Sequence, residues 1–453
     1  MSAPFVGKKY FNIQPLNNVN SFSFTSGQSV IRFALPPMNN ALLDKMIVNG
    51  KFHLDVDAAG TSYKVNDIDN DKLFSIDSVN ALHNMISKVQ ISTRRGALDL
   101  QQNNLYDINS KVKVASFSSP VDLNYGKNSC MNIASTFTAG TMRRLTREAG
   151  RVGTDFSLEL EMGILRDASQ RIDLGKIGGV EILIYLNSNE NLLFNLDNAE
   201  ADLLNNNYRY SLQSVQMFGA YQMYNPSISN QFQQLVFKDV NLNQQVLNSS
   251  VDTNGYSPQV QSMDNLVIVC QPNTSARNNF ETNAQQTNEC IGQKSYKTSK
   301  NGMPFPMTFD IENVTAKQDI VAANLADGQI NGNAEAVYHL CVSQQNKYPP
   351  DHMCSNAKSE YDAYNDIAGF NSSGVASTNL ATTNFLPIGI SYQYGFDGYN
   401  TNMTTDLIQV QIESAVNTAD ANIDPTIRAQ AQTVNNLTKY NAVLPYSNLM
   451  VSR

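Results

Sequence analysis

The residues best suited to chemistry crowd into one short stretch, His339-Leu-Cys341 and His352-Met-Cys354. The chain has four His and five Cys in all, and four of those nine fall here within 16 residues. On a β-strand, positions i and i+2 share a face, so His339 and Cys341 could bind one ion together. His352 and Cys354, brought back across a loop, would complete a tetrahedral zinc site with two sulfur and two nitrogen donors. The spacing differs from that of familiar zinc modules. A strand with a core cysteine, followed by an exposed loop, explains the same residues without a metal. A Cys341–Cys354 disulfide is a third reading, suited to an oxidising environment.

Other constellations are weaker. Met142-Arg-Arg-Leu-Thr-Arg is the one concentrated basic stretch. Arg143, Arg144 and Arg147 are the candidates for contact with genome, membrane headgroups or an acidic partner on the inside of an assembly. The plainer reading is a loop or short helix paired with nearby acids. Glu159 and Glu161 lie at i, i+2, the arrangement a glycosidase would need, but outward-facing Glu on a strand is ordinary solubility. Asp69 and Asp71 belong to Asp67-Ile-Asp-Asn-Asp71, half of a calcium loop that lacks the Gly and terminal Glu of an EF-hand. No Gly-x-Ser-x-Gly, P-loop or His-Glu-x-x-His occurs. No catalytic residue, cofactor or resident metal is expected.

Composition points to a scaffold of strands and wide loops. Charged residues are 16 % of the 453, and Asn alone is about an eighth. Asn and Ser side chains compete with the backbone for hydrogen bonds, which disfavours long helices and favours turns. The 20 Phe and 20 Tyr supply enough apolar surface to exclude disorder. Net charge is −8 and uneven: residues 1–225 carry 21 basic and 21 acidic side chains, residues 226–453 carry 11 and 19. An acidic chain is a poor wrapper of nucleic acid, so no sequence-specific nucleic-acid partner is expected. Five widely spaced cysteines make no disulfide framework, which fits a reducing compartment. The first residues lack a signal-peptide layout, and no apolar run is long enough to span a membrane.

The chemistry-bearing residues therefore depend on strands to position them. Alternation of period two marks Ser21–Thr25, Val30–Leu35 (stopped by Pro36-Pro37), Met46–Val56, Met85–Thr93, Phe156–Met162, Val180–Leu186 and Tyr208–Phe218. In the second half the candidates are Leu266–Cys270, Met307–Ile311, Val337–Val342, Ile388–Tyr394 and Leu407–Ile412. Short helices are expected over Ala97–Ile108 and Ile427–Leu437. Residues 225–236 read as a linker, 271–288 and 344–373 as long polar insertions, and Ala442–Arg453 as a docked apolar tail. The fold expected is all-β: two tandem jelly-roll domains, each an eight-stranded sandwich, over residues 1–225 and 226–453, with few short helices.

Several segments also occur in a familiar order. Leu82-His-Asn-Met-Ile-Ser-Lys-Val-Gln-Ile-Ser-Thr-Arg-Arg-Gly through Tyr106 resembles a strand-then-helix element of double-jelly-roll major capsid proteins. Phe156–Leu165, Arg171–Leu174 and Gly178–Asn187 look like the strands closing the first roll, and Tyr208–Phe218 like the strand leading out. Gly302-Met-Pro-Phe-Pro-Met and Phe385–Ile390 are similar to a loop and a late strand of the second roll. The family is that of small double-stranded DNA viruses, of the virophage and polinton-like type in the adenovirus–tectivirus lineage. The resemblance implies a structural, non-enzymatic subunit. Such a subunit is made in the host cytoplasm or nucleus and built into the virion. Its homotrimers form pseudo-hexamers that tile an icosahedral shell. Neighbouring capsomers, penton and minor capsid proteins would be its partners, with peripheral contact to an inner membrane. A fibre, spike or lectin-like binding protein, a minor capsid protein and a glycan-active enzyme are the rival readings.

Overall fold

In the computed structural model, described residues are 5–24, 28–58, 61–64, 74–76, 81–94, 99–107, 109–110, 143–144, 154–166, 171–188, 193–195, 207–225, 233–246, 251–256, 263, 265–271, 293–306, 308, 310–312, 388–391, 399, 407–414 and 430–444. In the first half the strands are β1 (Phe5–Ile13), β2 (Ser21–Phe22), β3 (Val30–Leu35), β4 (Ala41–Ala58), β5 (Thr61–Lys64), β6 (Phe74–Ile76), β7 (Ile86–Thr93), β8 (Asp99–Asn103), β9 (Arg143–Arg144), β10 (Thr154–Glu159), β11 (Val180–Leu186), β12 (Leu193–Asn195) and β13 (Asn207–Tyr224). Two one-turn helices, α1 (Gly163–Arg166) and α2 (Leu174–Ile177), lie between β10 and β11.

Eight of these strands form two sheets, β1-β13-β4-β10 and β3-β11-β7-β8, with every pairing antiparallel. Numbered by their order along the chain, the sheets read 1-8-3-6 and 2-7-4-5. Successive strands thus alternate between sheets except for the 4–5 hairpin, which is the double Greek key of a jelly roll. The alternation of side chains makes this stable. On β3, Ile31, Phe33 and Leu35 are buried while Arg32 points out. On β10, Phe156 and Leu158 are buried, and they join one apolar cluster with Val48, Phe52, Ile91, Ile182, Ile184 and Met217. Two inward faces meet there as a sandwich core.

The second half repeats the plan. Its strands are β14 (Gln233–Val246), β15 (Val251–Tyr256), β16 (Asn265–Gln271), β17 (Gln293–Lys300), β18 (Met303–Pro304), β19 (Ile311–Glu312), β20 (Ile388–Ser391), β21 (Ile408–Ser414) and β22 (Gln430–Leu444). The sheets are β14-β22-β16-β20 and β15-β21-β17-β18, with β19 added beside β17. With β19 set aside, the order is again 1-8-3-6 and 2-7-4-5. The chain is all-β, two tandem jelly rolls with few short helices, as its composition and patterning suggested. Pairings of β1–β13 stay within residues 5–224, and those of β14–β22 within 233–444. Phe237 of β14, however, is buried in the apolar cluster of the first half.

Of the two expected helices, the second is strand where described and the first is strand over 99–103, turning helical only at Tyr106–Asp107 and at Asn109–Ser110. Residues 99–103 form β8 on β7, because Leu98, Leu100 and Leu105 give too weak a helical stripe to outweigh an open sheet edge. Its inward Gln101 is accommodated by accepting a hydrogen bond from the Ile164 N–H at 2.9 Å. Residues 430–437 lie in β22, between β14 and β16. Asn435, Asn436 and Thr438 are poor helix formers, and the β14 ladder holds them extended. The expected strand over Val337–Val342 lies outside the described residues.

Candidate functional site

A jelly roll offers two kinds of place for function: its ends, where connections gather, and the outer faces of its sheets. At one end of the first roll, the connections between strands 3 and 4, 5 and 6, and 7 and 8 meet. Their short strands β6, β9 and β12 form a third sheet in the order β12-β6-β9. Arg143 and Arg144 constitute β9, opposite Ile76 and Ser75. The basic stretch is thus partly strand, where a loop or short helix was the plain expectation; Arg147 lies outside the described residues.

Beneath this end lies a buried polar cluster that sequence patterning missed. Asn187, just past β11, donates from Nδ2 to the Asn84 carbonyl at 3.1 Å and to Asp107 Oδ2 at 2.9 Å. The Tyr210 hydroxyl, from β13, donates to the Asn187 carbonyl at 2.6 Å. The Tyr106 hydroxyl accepts from the Glu161 N–H at 2.9 Å and meets His83 Nδ1 at 2.9 Å. The cluster ties connections 3–4, 5–6 and 7–8 together through buried hydrogen bonds, each costly to leave unmade. Through these bonds the cluster acts as a clamp across the three connections. The only hint in the sequence was a set of polar residues (His83, Asn84, Asp107, Asn187) flanking apolar strands.

Glu161 corrects a second expectation. Glu159 stays partly exposed at the end of β10, but Glu161 is only 7 % exposed. The strand ends at Glu159, so the alternation that would turn Glu161 outward no longer applies there. The pair does not share a face as two glycosidase carboxylates would.

The opposite end is locked by Asp173. Its carboxylate caps α2, accepting from the Gly175 and Lys176 N–H groups, and takes a short hydrogen bond from the Tyr224 hydroxyl. Tyr224 closes β13, and its N–H donates to the Asn40 carbonyl at 3.0 Å. The direction in which the chain leaves the first roll is thereby fixed.

The outer faces differ. On the β3-β11-β7-β8 sheet, charges are matched locally: Arg32 with Glu181, Gln90 with Asp99, and Lys88 over the Tyr185 ring. The Glu181 contact raises the Arg32 guanidinium further above its ordinary range. On the β1-β13-β4-β10 sheet, the β1 side carries Tyr10 stacked on Phe218, with ring centroids 5.9 Å apart. Asp44 holds Lys8 and Arg171, each at 2.8 Å. Burial works against the Asp44 charge, but the Lys8 hydrogen bond and the positive charges of Arg171, Lys8 and Lys45 outweigh it, and its carboxyl lies below the ordinary range.

His339, Cys341, His352 and Cys354 all lie outside the described residues, as do Asp67–Asp71. Among the described residues, no three His, Cys, Asp or Glu side chains come together in a way that could hold a metal ion.

No protein-family model matches the chain, and no curated protein sequence matches it. Solved structures do match. The Faustovirus major capsid protein superposes with a TM-score of 0.51 at 10 % identity, over 96 % of this chain and 90 % of its own. VP54 of PBCV-1, in a crystal structure fitted into a cryo-EM reconstruction of the virophage Sputnik, gives 0.50 at 8 % identity, over 96 % and 94 %. At such identities it is the fold that is shared, and this chain has that fold from its first strand to its last.

Proposed function

We propose that the chain is a viral major capsid protein, a structural and non-enzymatic subunit that resides in the capsid of a virion. What supports this most is the 1-8-3-6 and 2-7-4-5 plan occurring twice in one chain, together with a fold shared with the Faustovirus major capsid protein along nearly the whole of both. A single roll would serve a fibre tip or a lectin. Two rolls in series give one gene product two similar footprints, so three copies make six lobes while obeying closed three-fold symmetry. The first roll comprises residues 1–225 and the second 226–453. The trimer then meets neighbouring capsomers, penton and minor capsid proteins, and Arg143, Arg144 and Arg147 serve as contacts toward the particle interior. Sedimentation and negative-stain imaging of the purified full chain test this. Trimers with a six-lobed outline that pack hexagonally are expected; a stable monomer at all concentrations ends the proposal.

A further inference from the structure

From β8 into the connection that follows it, the chain buries a run of polar side chains: Gln101, Asn103, Asp107, Asn109 and Ser110, with the Tyr106 ring among them. Three have partners that explain their burial. Gln101 accepts from the Ile164 N–H, Asp107 Oδ2 accepts from Asn187, and the Ser110 hydroxyl donates to the Asp107 carbonyl at 2.9 Å. Two do not. The side-chain oxygens of Asn103 and Asn109 have no hydrogen-bond partner among the described residues, although these residues are only 2 % and 1 % exposed. A buried carbonyl oxygen left unmatched is costly. Both oxygens belong to residues that bracket Asp107, Asn103 four positions before it and Asn109 two after. The Asn109 N–H donates to the Leu105 carbonyl at 3.0 Å, which winds this segment into a tight turn directly after β8.

We propose that the turn binds a calcium ion through the side-chain oxygens of Asn103, Asp107 and Asn109. The proposal is independent of the capsid role. Its donors are oxygens alone, without sulfur or imidazole nitrogen, which suits calcium and not zinc. They are two amides around one carboxylate, not a cluster of three acidic side chains. A water could donate to both amide oxygens, but it brings no charge to a buried carboxylate; a cation serves both. Calcium accepts amide oxygens in irregular geometry, whereas magnesium demands a near-ideal octahedron and keeps its waters. With a single carboxylate the affinity belongs at the weak end, a Kd of roughly 10⁻⁴–10⁻³ M. Such a site fills outside a cell and empties in the cytosol. Asn187 Nδ2 joins Asp107 to the Asn84 carbonyl, so an ion held at Asp107 tightens connections 3–4, 5–6 and 7–8 together. Calcium thereby stiffens the loop end of the first roll outside the cell and releases it inside.

Terbium occupies calcium sites and luminesces when a nearby tyrosine is excited; Tyr106 adjoins Asp107, and the chain has no Trp. Terbium titrated into the chelator-treated full chain should give tyrosine-sensitised emission that calcium abolishes. Millimolar calcium should slow amide hydrogen exchange over residues 103–110 and raise the melting temperature by several degrees. The double variant N103L/N109L keeps the side-chain shape and removes both oxygens. It should lose the terbium emission at least tenfold and the calcium response entirely. In chelator it should be at least as stable as the wild type, because it no longer buries two unmatched carbonyls. A wild-type chain with neither terbium emission nor calcium-dependent exchange overturns the proposal and leaves water as the guest. A calcium response that N103L/N109L retains also overturns it and places the ion elsewhere, as at Asp67–Asp71. The two wild-type measurements decide the matter even where the variant fails to fold.

Discussion

The two rolls have one topology and are held by different means. In the first, connections at one end are clamped by Asn187, Asp107, Tyr210 and Tyr106, and the other end is capped by Asp173. In the second, the described residues organise around a hairpin. Asn301 and Gly302, both at positive φ, turn β17 into β18. The Asn301 side chain accepts from the Leu407 N–H at 3.0 Å while its own N–H donates to the Leu407 carbonyl. Lys300 reaches the Tyr399 hydroxyl at 3.0 Å and lies over the rings of Phe305 and Tyr399. An Asn-Gly pair is the natural two-residue turn, because both residues tolerate the left-handed region. The difference teaches that strand alternation and connection order specify the jelly roll. The polar fixings are local solutions, free to diverge.

The largest expected effect probes where the rolls stop being separate. Phe237 lies on the first strand of the second roll but in the apolar cluster of the first. Phe237→Ala should cost about 3–5 kcal/mol. In calorimetry it should split one cooperative transition into two. If the wild-type chain already melts in two separate steps, Phe237 is not the coupling residue and the rolls are independent. Tyr210→Phe is the next in size. It removes the donor to the Asn187 carbonyl inside the clamp and should cost about 1–3 kcal/mol, all of it from the first-roll transition after that split. An equal loss in both would mean that the clamp also supports the second roll.

Two glycines give a matched pair. Gly179 has φ +93, and a Cβ there would sit 2.5 Å from the Leu35 carbonyl oxygen and 3.0 Å from the Pro37 nitrogen. Gly302 has φ +82 with nothing within 4 Å of the added atom. Gly302→Ala meets backbone strain alone, about 1 kcal/mol. Gly179→Ala meets the same strain plus a clash with backbone that cannot rotate away, and should cost at least about 1 kcal/mol more. Denaturant midpoints of the two variants measure the gap. Equal midpoints would mean that β3 gives way at Leu35.

Much of this was legible in the sequence, and the reasons are specific. Val30–Leu35 and Val180–Leu186 alternate, or run apolar, because both belong to a sheet whose inner face is core, and a one-residue slip would expose the whole set. β8 and β22 were misread because a strand can be imposed from outside: each fits beside a partner whose ladder would otherwise be open, and propensity does not record the partner. The polar clamp left only the faintest trace in the sequence. Asn84, Asp107 and Asn187 are scattered over about a hundred positions and resemble ordinary loop residues until the connections converge. His339 and Cys341, by contrast, stand out by proximity along the chain alone, and they lie outside the described residues.

The smallest effect sharpens the same contrast through pH. Asp44 belongs to the first roll alone, and Lys8, Arg171 and Lys45 hold its folded-state carboxyl below its ordinary value of about 3.9. For a depressed acid, the stabilisation is complete above the unfolded-state value and disappears as pH falls through the folded-state value. Lys8 and Arg171 are about half exposed, and solvent screening limits the gain to about 1 kcal/mol or less. Asp44→Asn should therefore lower the first-roll melting temperature by a constant amount from neutral pH down to about pH 5. Below about pH 4 the difference should shrink, as the wild-type carboxyl takes up a proton and comes to resemble the amide. The second-roll transition, freed from the first by Phe237→Ala, should not respond to the substitution at any pH. A gap that persists unchanged into strong acid would mean that the Asp44 side chain acts through packing instead of charge, and the ion cluster at the β1 edge would then contribute nothing to holding the roll together.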